Sequence, residues 1–228
     1  MPVTNAFLYI DPMSANPMMR RSLSALFTLG VLSVAAAANA QDAGARTHDG
    51  FHLSLGVGAA YTTTSVSLDP EAANPPDISV TGFGVAGHLL IGGTVAPGLV
   101  IGGGNMGFHV FSPKVDVDGT ETDADGAFAG NLLGVYADYY FDNHEGLHAL
   151  ALLGLATLDD GDDRTDKLAV GFGAALGVGY EMWVADEWSI GALGRVQFIS
   201  TAVEFETIKA DIKYQTVAPA LLLTATYH

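Results

Sequence analysis

The chain has 228 residues, with 25 acidic against nine basic side chains, a net charge of −16, and no cysteine. Such acidity argues against nucleic acid as a partner, because phosphates would be repelled, and the missing cysteines exclude disulfides, metal thiolates and thiol catalysis. Almost half of the residues are apolar, and they sit in different stretches from the charge.

Residues 1–40 read as an export signal. Arg20 and Arg21 precede the apolar run from Leu23 to Ala38, and Ala38-Asn39-Ala40 has the small-x-small form of a cleavage site, so Gln41 is the expected mature start. The first 17 residues, with Asp11 and three prolines, do not suit a signal, which points to Met18 or Met13 as the true start. Residues 41–50 form a polar lead-in. No later run of about 18 apolar residues is free of polar interruption and strand periodicity, so spanning helices are not expected.

From Phe51 the pattern is a period of two, the signature of strands. Phe51, Leu53, Leu55, Val57, Ala59 and Tyr61 alternate with His52, Ser54, Gly56, Gly58, Ala60 and Thr62. A proline-broken loop over 69–77 leads to a second strand over 78–95, and Ala96-Pro97-Gly98 turns the chain back. A third strand spans 99–111. The longest loop, 112–126, carries Asp116, Asp118, Glu121, Asp123 and Asp125. A fourth strand runs over 127–141 and a fifth over 147–158; the fifth is apolar on both faces, so a buried helix competes there. A second acidic loop covers 159–166. The sixth strand, 168–183, alternates most clearly: Leu168, Val170, Phe172, Ala174, Leu176, Val178, Tyr180 and Met182 oppose a wall of glycine and alanine that ends at Glu181. Strands over 188–203 and 211–228 complete the chain.

Two regularities select the architecture. Odd-numbered connections are long and hold 16 of the 25 acidic residues, whereas even-numbered ones are tight turns. An up-and-down sheet gathers the long loops at one end, as in outer-membrane barrels with short periplasmic turns and long external loops. Aromatic residues also fall into two belts, as two bilayer interfaces favour. Phe51, Tyr139, Tyr140, Phe141, Trp183, Trp188 and Tyr227 lie at the short-turn end; Tyr61, Phe108, Phe111, Phe128, Phe205 and Tyr214 lie near the loop end. The expected fold is all-β: an eight-stranded antiparallel up-and-down transmembrane barrel over 51–228, closed so that no edge is exposed.

In these features the chain resembles the small eight-stranded outer-membrane barrels of Gram-negative bacteria, the OmpA-type and OmpX-type domains. The last strand carries the resemblance furthest, with Val217, Leu221, Leu223, Ala225 and Tyr227 alternating up to a terminal aromatic. Two departures stand out: His228 follows the aromatic, and Pro219 sits in mid-strand, where a bulge or an unpartnered position is expected. The resemblance implies a place in the outer membrane, contact with its lipid, insertion by the barrel-assembly machinery, a monomer and no cofactor.

The same parity points His52, His88, Asp138, Glu181, Arg195 and Gln197 inward. Eight strands leave an interior just wide enough for side chains, so a charge cluster of Asp138, Glu181 and Arg195 is expected to plug the lumen, Arg195 pairing with either carboxylate. A small conducting pore is the alternative. Glu121, Asp123 and Asp125 begin like a calcium loop but lack the carboxylate of the twelfth position, where Leu132 stands, so weak divalent-cation binding or a surface ligand competes with plain solvated loops. His109 with Ser112 is the one pairing suited to a lipid-modifying enzyme; no carboxylate is spaced beside it, and no enzyme is expected. A soluble periplasmic barrel would require apolar residues inside.

Overall fold

The computed structural model describes residues 46–69, 76–124, 126–142, 144–159, 168–205 and 210–228. The expected export signal with Ala38 and Ala40, and the start at Met13 or Met18, lie outside the described residues. The strands are β1 (Phe51–Asp69), β2 (Ile78–Ala96), β3 (Leu99–Val110), β4 (Lys114–Val117), β5 (Thr120–Asp123), β6 (Phe128–Tyr140), β7 (Gly146–Asp159), β8 (Ala169–Trp183), β9 (Trp188–Phe205) and β10 (Ala210–Tyr227). Eight of them pair antiparallel in chain order, and β1 pairs both β2 and β10, so the sheet closes on itself. No described helix is long and apolar enough to cross a membrane.

The ring is strongly staggered. A walk across paired residues runs Leu53, Ile91, Gly103, Val135, Leu153, Ala174, Phe198, Val217 and returns to β1 at Thr63. The start and the return, Leu53 and Thr63, are ten residues apart on β1. Closing eight strands with such an offset tilts them against the barrel axis, by about 35–45° in barrels generally; since about 9–11 tilted residues cross a bilayer, strands of up to 19 residues extend beyond it.

Side-chain alternation follows the sequence pattern. On β8, Phe172 is 72% exposed while Glu181 on the opposite phase is 2% exposed. The exposed positions of all the long strands form an apolar outer band that includes Val57, Phe83, Val135, Leu153 and Leu223. The strand over 147–158 is confirmed as β7, not a helix. It is apolar on both faces because Leu150, Leu152, Ala156 and Leu158 face an apolar part of the lumen shared with Leu90, Met106 and Leu132, while Leu147, Leu153 and Leu155 face out.

Two differences from the sequence reading, and the choice between the two outcomes expected at Pro219, have physical causes. The segment expected as one loop over 112–126 contains the β4–β5 hairpin, with β4 also paired to β2. Its turn is Asp118-Gly119 with φ of 53° and 83°, the left-handed pair that a type I′ hairpin turn requires and that Asp-Gly supplies. Pro219 produces no bulge: the β1–β10 register is the same on both sides of it, with pairs Ala60–Ala220 and Thr63–Val217, and only the intervening ladder is interrupted. Its missing N–H thus faces β1, while pairing with Val196 of β9 persists. Finally, Phe108 and Phe128 do not join the outer belt. They share the phase of Met106 and Leu132 and are buried against each other in the lumen, ring centroids 6.1 Å apart.

Candidate functional site

The inward face at the short-turn end is polar, and its centre is Glu181. One inward step before Trp183 at the end of β8, the carboxylate enters the lumen where hydroxyls from β6, β9 and β10 converge. Ser189 Oγ (2.7 Å) and Tyr140 OH (3.3 Å) donate to Oε2; Thr226 (2.6 Å) and Thr224 (3.2 Å) donate to Oε1. Burying an ion in this interior is expensive unless its lone pairs are filled, and four hydroxyls fill them. Asp138 on β6 is separately satisfied: His148 Nδ1 lies 2.8 and 2.9 Å from its two oxygens.

Arg195 is buried on β9 opposite Gly177, as the hairpin register requires. It reaches across the lumen to β2 and β3, where Nη2 donates to the carbonyls of Gly107 (2.9 Å) and Gly87 (3.2 Å). The expected ion pair with Asp138 or Glu181 is not formed; both carboxylates have other donors, and Nε and Nη1 of Arg195 have no hydrogen-bond partner. Asp138, Glu181 and Arg195 therefore share the lumen without forming one cluster. Gln197, one inward step along β9, donates to the Met106 carbonyl, and His88 meets Ser54.

Several residues of this network were not singled out in the sequence. His148, Ser189, Thr224 and Thr226 are legible by parity, since each has the phase of a buried neighbour. His228, read as the end of the strand over 211–228, has the phase of Thr224 and Thr226; His48 carries no such signal, because it belongs to no strand. The lead-in folds over the short-turn mouth: Arg46 N donates to Asp186 O, and Thr94 Oγ1 donates to His48 O. His48 is buried there, its ring stacked on Tyr140 with centroids 3.7 Å apart. His228 N is held by Glu187 O, and its ring meets His48 edge-on at 4.5 Å. Burial, and next the neighbouring His228 imidazole, hold His48 down at about 4.

Of the expected belt at this end, Phe51, Tyr139, Phe141 and Trp188 are exposed on the outer surface, with Tyr227 between Phe51 and Trp188. Unlike them, Trp183 has the inward phase of Glu181 and turns over the mouth, 4.9 Å from His48 and 4.8 Å from His228, with Nε1 donating to His144 O. In the β4–β5 hairpin Glu121 accepts from Lys114 Nζ at 2.6 Å, a bond that raises the lysine pKa. Asp123 is exposed nearby, and Asp125 lies outside the described residues. Among the described residues no group of three or more His, Asp or Glu is arranged to hold a metal ion. His109 packs edge-on against Phe111 at 4.8 Å.

No protein-family model matches the chain, and no curated protein sequence matches it. Solved structures do. The chain is similar to the outer membrane protein OprG from Pseudomonas aeruginosa, 13% identical over 81% of this chain and 99% of that one, with a TM-score of 0.53. It is also similar to Neisserial surface protein A, 13% identical over 78% of this chain and 96% of that one, with a TM-score of 0.50. At such identity the likeness concerns the fold, which is that of the small eight-stranded outer-membrane β-barrels.

Proposed function

We propose that the protein spans the bacterial outer membrane as a barrel with a filled lumen, and that its role is structural or surface-interacting, without catalysis. The observation that carries this reading is the inversion of polarity across the wall. An apolar band faces out around the whole ring, and a hydrogen-bonded polar network is enclosed at one end. A soluble protein gains nothing from exposing Phe83, Phe172 and Leu223 at more than 70% each, since apolar patches on this scale favour association with lipid or another surface.

Filling of the lumen is supported from end to end. Glu181, Asp138 and the histidines occupy the short-turn end, Arg195, Gln197, Leu90 and Met106 the middle, and Phe108, Phe128, Val110 and Leu158 the loop end, all of them buried. In this reading the barrel is a monomer surrounded by outer-membrane lipid and inserted by the barrel-assembly machinery. Its acidic loops face outward, toward divalent cations or a surface ligand.

Cell fractionation combined with surface proteolysis tests the placement. The protein is expected in the outer-membrane fraction, released by detergent only, and cut in its long loops when intact cells are treated with protease. Release without detergent, or cleavage of those loops only after permeabilisation, contradicts it.

A further inference from the structure

The facing imidazoles of His48 and His228 place their Nδ1 atoms 3.2 Å apart. The other nitrogen of each ring fixes which atom carries the proton. His48 Nε2 lies 3.1 Å from the Glu145 carbonyl oxygen, which only accepts, so Nε2 is the donor and Nδ1 presents a lone pair. His228 Nε2 lies 2.9 Å from Ser189 Oγ, whose own proton goes to Glu181 Oε2 at 2.7 Å, and the Glu181 carboxylate itself is 3.5 Å away. Nε2 is again the donor, and Nδ1 faces His48 Nδ1, with a lone pair in the neutral ring or an N–H in the imidazolium paired with Glu181. The two Nδ1 atoms therefore face one shared position, filled by a proton when one ring is the imidazolium or by a metal ion bound to both lone pairs.

We propose that His48 Nδ1 and His228 Nδ1 are two ligands of a divalent transition-metal site of the Zn2+ class at the short-turn mouth. With metal–nitrogen bonds of about 2.0–2.1 Å, their separation corresponds to an N–metal–N angle of about 100–106°, suited to a tetrahedral ion. The surroundings have the form that orients metal-binding histidines, in which the second ring nitrogen donates to a backbone carbonyl or, directly or through a hydroxyl, to a carboxylate. Here those partners are Glu145 O and the Ser189–Glu181 pair. A proton shared between the two Nδ1 atoms leaves when the ion enters, as metal binding to imidazole generally requires. Tyr140 stacks on His48 and Trp183 covers both rings, which leaves solvent to complete the coordination. One ligand comes from the lead-in and the other follows β10, so the ion would clip the lead-in onto the barrel end.

The test uses the full-length, tag-free protein in detergent after dialysis against chelator. Titration with Zn2+ in a calorimeter is expected to give one saturable equivalent. His48→Gln and His228→Gln are each expected to weaken it about tenfold or more, whereas Glu121→Gln with Asp123→Asn, in the acidic hairpin, leaves it unchanged. X-ray absorption on the wild-type zinc complex, which does not depend on the variants folding, is expected to show two imidazole nitrogens. Absence of a saturable equivalent, fewer than two imidazoles, or binding lost in the hairpin variant and kept in both histidine variants overturns the proposal.

Discussion

Glu181 accepts hydrogen bonds from four hydroxyls on three other strands, β6, β9 and β10, so its removal leaves several buried donors without an acceptor. At about 1–3 kcal/mol for each orphaned group, Glu181→Leu is expected to lower unfolding free energy by at least about 3 kcal/mol in urea titrations of the refolded barrel. An unchanged midpoint would show that the hydroxyls find other acceptors. His48 makes a prediction in pH. Its imidazole is held at about 4 against an ordinary value near 6.5, so between these limits the unfolded chain binds the proton that the folded one refuses. In chelated protein its contribution to stability is complete above about 6.5 and is lost as pH falls toward 4. The groups facing it are His228, Glu181, His148 and Tyr140, with Trp183 above. His48→Phe, which preserves the stack, is expected to flatten the pH dependence of the unfolding midpoint across that window; a slope equal to the wild type would assign it to the other histidines. At this scale the sequence was partly legible. A period of two is enough to turn Asp138, Glu181 and Arg195 inward. It cannot choose their partners, because the ten-residue stagger decides which inward residues meet across the lumen. That is why Arg195 ends on two backbone carbonyls.

Elements were more legible than residues, because each barrel strand alternates over many positions and its turns are marked by Pro, Gly and Asp. The hairpin within 112–126 was missed although Asp118-Gly119 announces it; its strands are four residues each, too short for alternation to be seen among so many carboxylates. Glycines place a further constraint on the wall. Gly134 and Gly154 face each other across β6 and β7, and a Cβ on either would fall 2.0–2.1 Å from a carbonyl oxygen of the opposite strand. At Gly177 the nearest atom is the end of the Leu193 side chain, at 3.0 Å, which can move. Gly154→Ala is therefore expected to cost about 1–3 kcal/mol and to lower the thermal midpoint clearly, whereas Gly177→Ala costs little. Equal midpoints in differential scanning calorimetry would mean that the wall adjusts around an added methyl group.

At the scale of the whole molecule, sorting of long and short connections, two aromatic belts and an even number of long strands were sufficient for a closed barrel. What they left open was whether the interior is a channel, since inward polar residues suit a wet pore and a plug equally well. The proposed plug is supported by buried side chains at both ends and in the middle of the lumen, and by His48 of the lead-in packing at the short-turn mouth. The central claim is thus a membrane barrel that does not conduct. Single-channel recording of the purified protein in planar bilayers tests it most directly. The wild-type barrel is expected to insert without discrete conductance steps, and His48→Gly with Glu181→Ala to produce unstable, small openings as the mouth loosens. Stable, uniform open steps from the wild type would contradict the account.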